Sequence, residues 1–225
     1  PDKQKALLDI CRQRDVLLIE DDSFTELSYN SQERQTIKAQ DEDDRVIYIK
    51  SFSKILMPGL RLAFMLAPQR LLPQLMAAKH IADISTSGLV QRVFDVYLRQ
   101  DLWKTHLQSM KKCYRERYQH ILRAIQDSFP PQVSFRAPEG GLCIWVEGYP
   151  GLSSNRLYEA CLAHQVVIAP GSHFFPDNRD SRFFRLSFAA LPAQDISRGI
   201  PIIAHQLNKL YNPAYHPGQR YSPLL

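Results

Sequence analysis

The chain has 225 residues, 44% of them hydrophobic and 10% aromatic, which is enough apolar side chain for one good core or two small ones. No run of about 18 apolar residues occurs, so a membrane span is excluded, and the opening PDKQKALLDICRQRD is too charged for a secretory signal; a cytoplasmic setting with no membrane partner is the default. The net charge of +5, with acids grouped in QDEDD at 40 to 44 and bases around MKKCYRERYQH, is too mild to imply nucleic-acid binding by this chain.

In chain order, KQKALLDICRQR places apolar residues at helical spacing and gives way to VLLIE, a run expected to be a buried parallel strand ending at Glu20, Asp21 and Asp22. RVIYIKSF (45 to 52) and LRLAFMLAP (60 to 68) read as two more such strands, separated by the loop SKILMPG, and RLLPQLMAAKHIADI follows as a helix. From Gly88 to about Phe129 the pattern is helical, ending in a long amphipathic run suited to bridging two lobes. After Pro130 and Pro131 come short strands with turns: VSFRAP, EGGLCIWVEG, the helix NRLYEACLAHQ, VVIAPGS and FFRLSFAAL. A terminal helix, DISRGIPIIAHQLNKLY, is expected to kink or stop at Pro201, and NPAYHPGQRYSPLL has the composition of a loose tail. Cys11, Cys113, Cys143 and Cys161 lack CxxC spacing and read as buried reduced thiols. The seven histidines show no ligand spacing, so no metal site is expected.

The functional crevice of an open α/β sheet lies at the carboxyl ends of its strands. Three kinds of charge fall there: Asp21 and Asp22 after the first strand, Lys54 after the second, and Arg61 at the start of the third. Taken singly, Lys54 is a solvated loop residue and Asp21 a strand terminator. Taken together they match the needs of a carbonyl cofactor carrying a ring nitrogen and a phosphate. The amine makes a Schiff base, the carboxylate holds the pyridinium proton, and the guanidinium with nearby hydroxyls binds the dianion. Pyridoxal 5'-phosphate fits that set.

LIEDDSFTEL, SFSKILMPGLRLAF, EGGLCIWVE and APGSHFF with FFRLSFA, in that order, resemble fold-type I pyridoxal-phosphate enzymes of the class I and II aminotransferase group, and most nearly the aminotransferase-like domain of MocR-type regulators in the GntR family. The likeness covers about residues 1 to 210. It implies an α/β chain of aspartate aminotransferase type: the remainder of a cofactor-binding large domain at 1–100 with a parallel or mixed sheet, a connecting helix at 101–129, a smaller α+β domain at 130–212 and a tail at 213–225. It implies that Lys54 carries the internal aldimine, that Asp21 pairs with the pyridine nitrogen, and that Ser51, Ser53 and Arg61 bind the phosphate. Arg185 would grip the α-carboxylate of an amino acid or amine-type ligand, with Gly140 and Gly141 on the strand that approaches it. Each has a plainer rival: strand-end capping for the serines, a solvated strand face for Arg185, a simple turn for the glycines. His173 reads as a packing residue.

Two departures bear on the resemblance. The family's tyrosine, two or three residues after the aspartate, donates to the cofactor's ring oxygen; here Ser23 and Phe24 occupy those positions, the phenol is missing, and Ser23 is expected to substitute for it only in part. The family's glycine-containing phosphate loop, ring-stacking aromatic and Asn-Pro motif belong to sequence before Pro1. This chain by itself is therefore expected to hold pyridoxal phosphate weakly or not at all and to cover its exposed surface by self-association or rearranged packing. Three functions fit. The favoured one is an effector domain that senses an amino acid or amine for a transcriptional regulator, homodimeric and touching DNA only through an upstream domain. The alternatives are a free-standing aminotransferase and a binding module without cofactor.

Overall fold

The computed structural model describes residues 2–29 and 35–211, so the expected tail at 213–225 lies outside the described residues. The chain divides into two units, Pro1–Lys111 and Lys112–Leu225, and the division falls within one long helix.

In the first unit, helix α1 (Asp2–Arg14) leads into strand β1 (Leu18–Asp22), which pairs in parallel with β2 (Val46–Ser51). Strand β3 (Ala63–Leu66) completes the sheet in the order β1, β2, β3, but runs antiparallel to β2. The expected third parallel strand is thus corrected. Residues 52–62 are too few to hold a crossover helix, and a parallel return needs about a dozen residues or more. Burial also departs from expectation. Val46 and Ile47 of β2 are inside, whereas Ile19 of β1 is 64% exposed and all four residues of β3 are exposed. An apolar, β-branched run specifies a strand, but a covering layer must come from elsewhere in the fold. Helices α2 (Leu72–Asp83) and α3 (Gly88–Arg99) follow, and the Ser87 hydroxyl caps α3 by accepting from the Val90 N–H. Helix α4 (Leu102–Ser128) then crosses the division.

The second unit contains β4 (Ser134–Phe135), β5 (Cys143–Glu147), α5 (Ser154–Leu162), β6 (Ala169–Pro170), β7 (Phe183–Ser187) and α6 (Ala193–Tyr211). Its sheet is antiparallel throughout, ordered β4, β5, β7, β6. Period-two alternation sorts the side chains. Ile144, Val146, Phe184 and Leu186 are buried, as are Ile121 and Ile125 of α4, Leu157 and Cys161 of α5, and Ile196, Ile200, Ile203 and Leu207 of α6. Cys143, Trp145, Phe183, Arg185 and Ser187 line the other face. Helix α6 runs through Pro201 and does not stop there. Of the four free thiols, Cys11 and Cys161 are buried and Cys113 and Cys143 only half-buried; burial pushes the Cys161 thiol up to about 12.

The first unit contains a polar cluster that the sequence reading overlooked. Register places Asp22 opposite Lys50, and both are buried, at 7% and 5% exposure. Asp22 accepts from Lys50 Nζ (3.1 Å), from the Tyr48 hydroxyl (2.5 Å) and from the Thr25 backbone N–H (3.1 Å), while Lys50 Nζ also reaches Glu26 (2.5 Å). Burial alone disfavours the Asp22 charge, but these donors outweigh it and hold the carboxyl below its ordinary value. Burial and the Asp22 charge together hold the Tyr48 phenol well above its own, so it remains a donor.

Replacing Lys50 by Met leaves Asp22 and Glu26 as neighbouring carboxylates with no cation between them, and a stability loss of about 3–5 kcal/mol is expected in urea unfolding. The sign with pH follows from Asp22. Its folded pKa is depressed, so its contribution in the parent is present above about pH 4, its ordinary range, and is lost as pH falls through the folded value. The gap between parent and Lys50→Met is expected to shrink on acidification; a gap that grows would contradict the assignment.

Candidate functional site

The carboxyl ends of β1 and β2 and the start of β3 meet at one end of the first unit's sheet, because β1 and β2 are parallel and β3 returns directly. Asp21 and Asp22 are the last two residues of β1, within the strand rather than just beyond it. Adjacent strand residues face opposite ways. Asp22 enters the buried cluster, and Asp21 is exposed on the face that carries Ile49 and Ser51. The Asp21 carboxylate accepts from the Ser23 hydroxyl at 2.5 Å, so Ser23 supports the carboxylate. Phe24 is 47% exposed and offers no donor.

The serines and the lysine follow from β2. Ser51 ends the strand, and its hydroxyl accepts from the Ser53 backbone N–H at 3.3 Å. Phe52, between them, packs its ring 4.4 Å from Phe94 of α3 and 5.9 Å from Phe64 of β3. That apolar anchor fixes the loop and explains the alternation Ser-Phe-Ser. Lys54 lies on the exposed loop, and its amine makes no hydrogen bond or ion pair among the described residues. The same is true of the Arg61 guanidinium. Arg61 has left-handed backbone, φ 51 and ψ 41, at the end of a single helical turn, Pro58–Leu60. A non-glycine residue held there stores strain of about 1–2 kcal/mol, and such residues gather at ligand sites.

The second unit carries the other three expected residues. Arg185 is on the central strand β7, opposite Trp145 and Ala169. Its Nε is buried without a hydrogen-bond partner, and its guanidinium lies over the Phe174 ring. Gly140 precedes β5, and Gly141 has φ +89, a conformation that disfavours any side chain. His173 is exposed, which corrects its reading as a packing residue. Among the described residues, no group of three or more His, Cys, Asp or Glu is arranged to hold a metal, and no helix is long and apolar enough to cross a membrane.

Comparison with known proteins identifies the family and the fold. The model for "Aminotransferase class I and II" matches residues 1–203. The chain belongs to the class I and II aminotransferase family. Among its relatives is an aromatic-amino-acid aminotransferase of Thermococcus litoralis, 30% identical over 207 residues, 92% of this chain and 50% of that protein. The HTH-type transcriptional regulator TauR of Rhodobacter capsulatus is also 30% identical, over 92% of this chain and 43% of its own length. Among solved structures, the α-aminoadipate aminotransferase LysN of Thermus thermophilus, complexed with N-(5'-phosphopyridoxyl)-L-leucine, superposes with a TM-score of 0.87 at 31% identity, covering 94% of this chain and 55% of that one. The fold is therefore of aspartate aminotransferase type, and the chain spans about half the length of the relatives it matches.

The family uses pyridoxal phosphate, and the donor set of the first unit fits it: an exposed carboxylate, an unengaged amine, an unengaged guanidinium on strained backbone, and two hydroxyls. If Arg61 binds the phosphate, Arg61→Gly relieves the left-handed strain, leaves stability within about 1 kcal/mol of the parent, and weakens pyridoxal phosphate binding without weakening that of phosphate-free pyridoxal. Equal loss of both ligands would contradict the assignment.

Proposed function

We propose that this chain is the pyridoxal-phosphate-binding, amino-acid-sensing part of a GntR/MocR-type transcriptional regulator. The observation that carries the cofactor half of the reading is the arrangement of Asp21, Lys54 and Arg61 at one end of a sheet, with the amine and the guanidinium unengaged among the described residues. Pyridoxal phosphate, when bound, supplies an electrophilic carbonyl and a pyridinium ring able to accept electron density from an attached amine. Asp21, braced by Ser23, holds the proton on the ring nitrogen. Ser51, Ser53 and Arg61 hold the phosphate. Lys54 would supply the amine that faces the carbonyl and would hold or release a proton at Nζ. Arg185 takes the α-carboxylate, with Gly140 and Gly141 ahead of β5, the strand that pairs with β7.

Likeness to TauR supports sensing. Phe24 cannot donate to the ring oxygen as a phenol would, and the hydroxyl of Ser23 is spent on Asp21, so a proton on the attached nitrogen would be held more firmly; this bears equally on sensing and on turnover. The second reading, a free-standing aminotransferase acting on an amino acid and a 2-oxo acid, draws on an equal likeness to the Thermococcus litoralis enzyme. DNA contact through a preceding domain, a homodimer and a cytoplasmic setting belong to the regulator reading.

The test uses the full-length protein loaded with pyridoxal phosphate. Borohydride reduction is expected to fix the cofactor's mass on the peptide containing Lys54, and an L-amino acid panel with 2-oxoglutarate is expected to perturb the cofactor's absorption without sustained product formation. Mass on another lysine would refute the site; steady turnover would replace sensing by the aminotransferase reading.

A further inference from the structure

Of the second unit's arginines that lie over aromatic rings, two near β7 are treated in opposite ways. Arg182 lies 5.3 Å from the Phe183 ring and is also paired with Glu147, through Nε at 2.9 Å and a terminal nitrogen at 2.5 Å. Its donors are occupied. Arg185 lies 4.8 Å from the centroid of Phe174, and no carboxylate or carbonyl among the described residues engages it. The Phe174 ring meets Trp145 edge-on at 5.1 Å, and Trp145 stacks on Phe183 at 5.9 Å. The Phe174 ring therefore backs the Arg185 guanidinium, and Trp145 and Phe183 continue the row of rings behind Phe174.

An arginine free to turn into water would not leave Nε buried and unpaired, because a desolvated donor without an acceptor is costly. The Arg185 side chain is held in that pose. A ring face attracts a cation through its quadrupole without consuming its N–H donors. A carboxylate partner, as at Arg182, would orient the guanidinium but occupy the edge that a ligand needs. The turn carrying Phe174 approaches β7 only because residue 171 is glycine: a Cβ there would overlap the Ser181 hydroxyl and the Phe183 carbonyl oxygen.

We infer that Phe174 is a positioning residue for carboxylate recognition: its ring holds the Arg185 guanidinium with Nε sealed and the terminal nitrogens presented as the edge that pairs with an α-carboxylate. This rests on the reading of Arg185 as the carboxylate-binding arginine. Bidentate pairing through a planar fork is the geometry that such pre-orientation favours.

The test measures affinity by calorimetry in the cofactor-loaded full-length protein. The probes are L-phenylalanine, L-leucine and L-lysine, each beside the amine lacking its carboxylate: 2-phenylethylamine, isoamylamine and cadaverine. Phe174 is 44% exposed, so its replacement removes little packing. Phe174→Leu is expected to weaken amino-acid binding about three- to tenfold and leave amine binding unchanged, Phe174→Tyr to restore the parent value, and Arg185→Ala to abolish the preference for amino acid over amine. A preference lost in Arg185→Ala but intact in Phe174→Leu overturns the role of Phe174 alone, as does an equal loss of both probes in Phe174→Leu. A parent with no preference, or one that survives Arg185→Ala, overturns the reading of Arg185 and this inference with it.

Discussion

Two neighbouring carboxylates at the end of one strand cannot face the same way. That period-two constraint organises the first unit. Asp22 turns into the sheet's covered face and, with Tyr48, Lys50 and Glu26, ties β1 to β2 and to the turn after β1. Asp21 is thereby left on the open face, where among the described residues Ser23 supports it. The buried cluster can hold the strand end in place because its charges are mutually satisfied. An unpaired Asp22 at that depth would be costly and would loosen the residue beside it.

The same alternation recurs wherever the chain presents chemistry. Phe52 packs into a ring contact with Phe94, and Ser51 before it closes β2 on the face that carries Asp21. In the second unit, Phe184 and Leu186 enter the core, so Arg185 between them must lie on the opposite face, with Trp145 across from it on β5. Apolar anchoring of alternate residues on a strand or strand end is what makes the intervening polar residues available to a ligand.

Much of this was legible in the sequence, because strands and amphipathic helices leave periodic signatures and the ordered motifs around Asp21, Lys54 and Arg185 are specific as a set. The direction of β3 was misread because its apolar run looks the same either way; only the short link from Phe52 to Leu62 decides it. The exposure of Ile19 and of β3 was misread because composition cannot say whether a covering layer is present. Lys50 passed as an ordinary strand lysine. Its alternation with Tyr48 in VIYIKS was the available signal, since two long polar side chains on the same face as Asp22 need a shared partner. The rings around Arg185 were hidden because Phe174 comes from a turn brought close only by the packing of Gly171.

A structural carboxylate, Asp22, and the carboxylate proposed to face the ligand, Asp21, stand one residue apart. The most direct measurement compares Asp21→Asn with Asp22→Asn in the full-length protein, following urea unfolding and the binding of N-(5'-phosphopyridoxyl)-L-leucine in the folded state. Asp21→Asn is expected to keep the parent's stability and lose affinity for the ligand, and Asp22→Asn to lose stability and keep affinity. The reverse pattern, or equal effects of the two substitutions, would contradict the assignment of Asp21 to the cofactor.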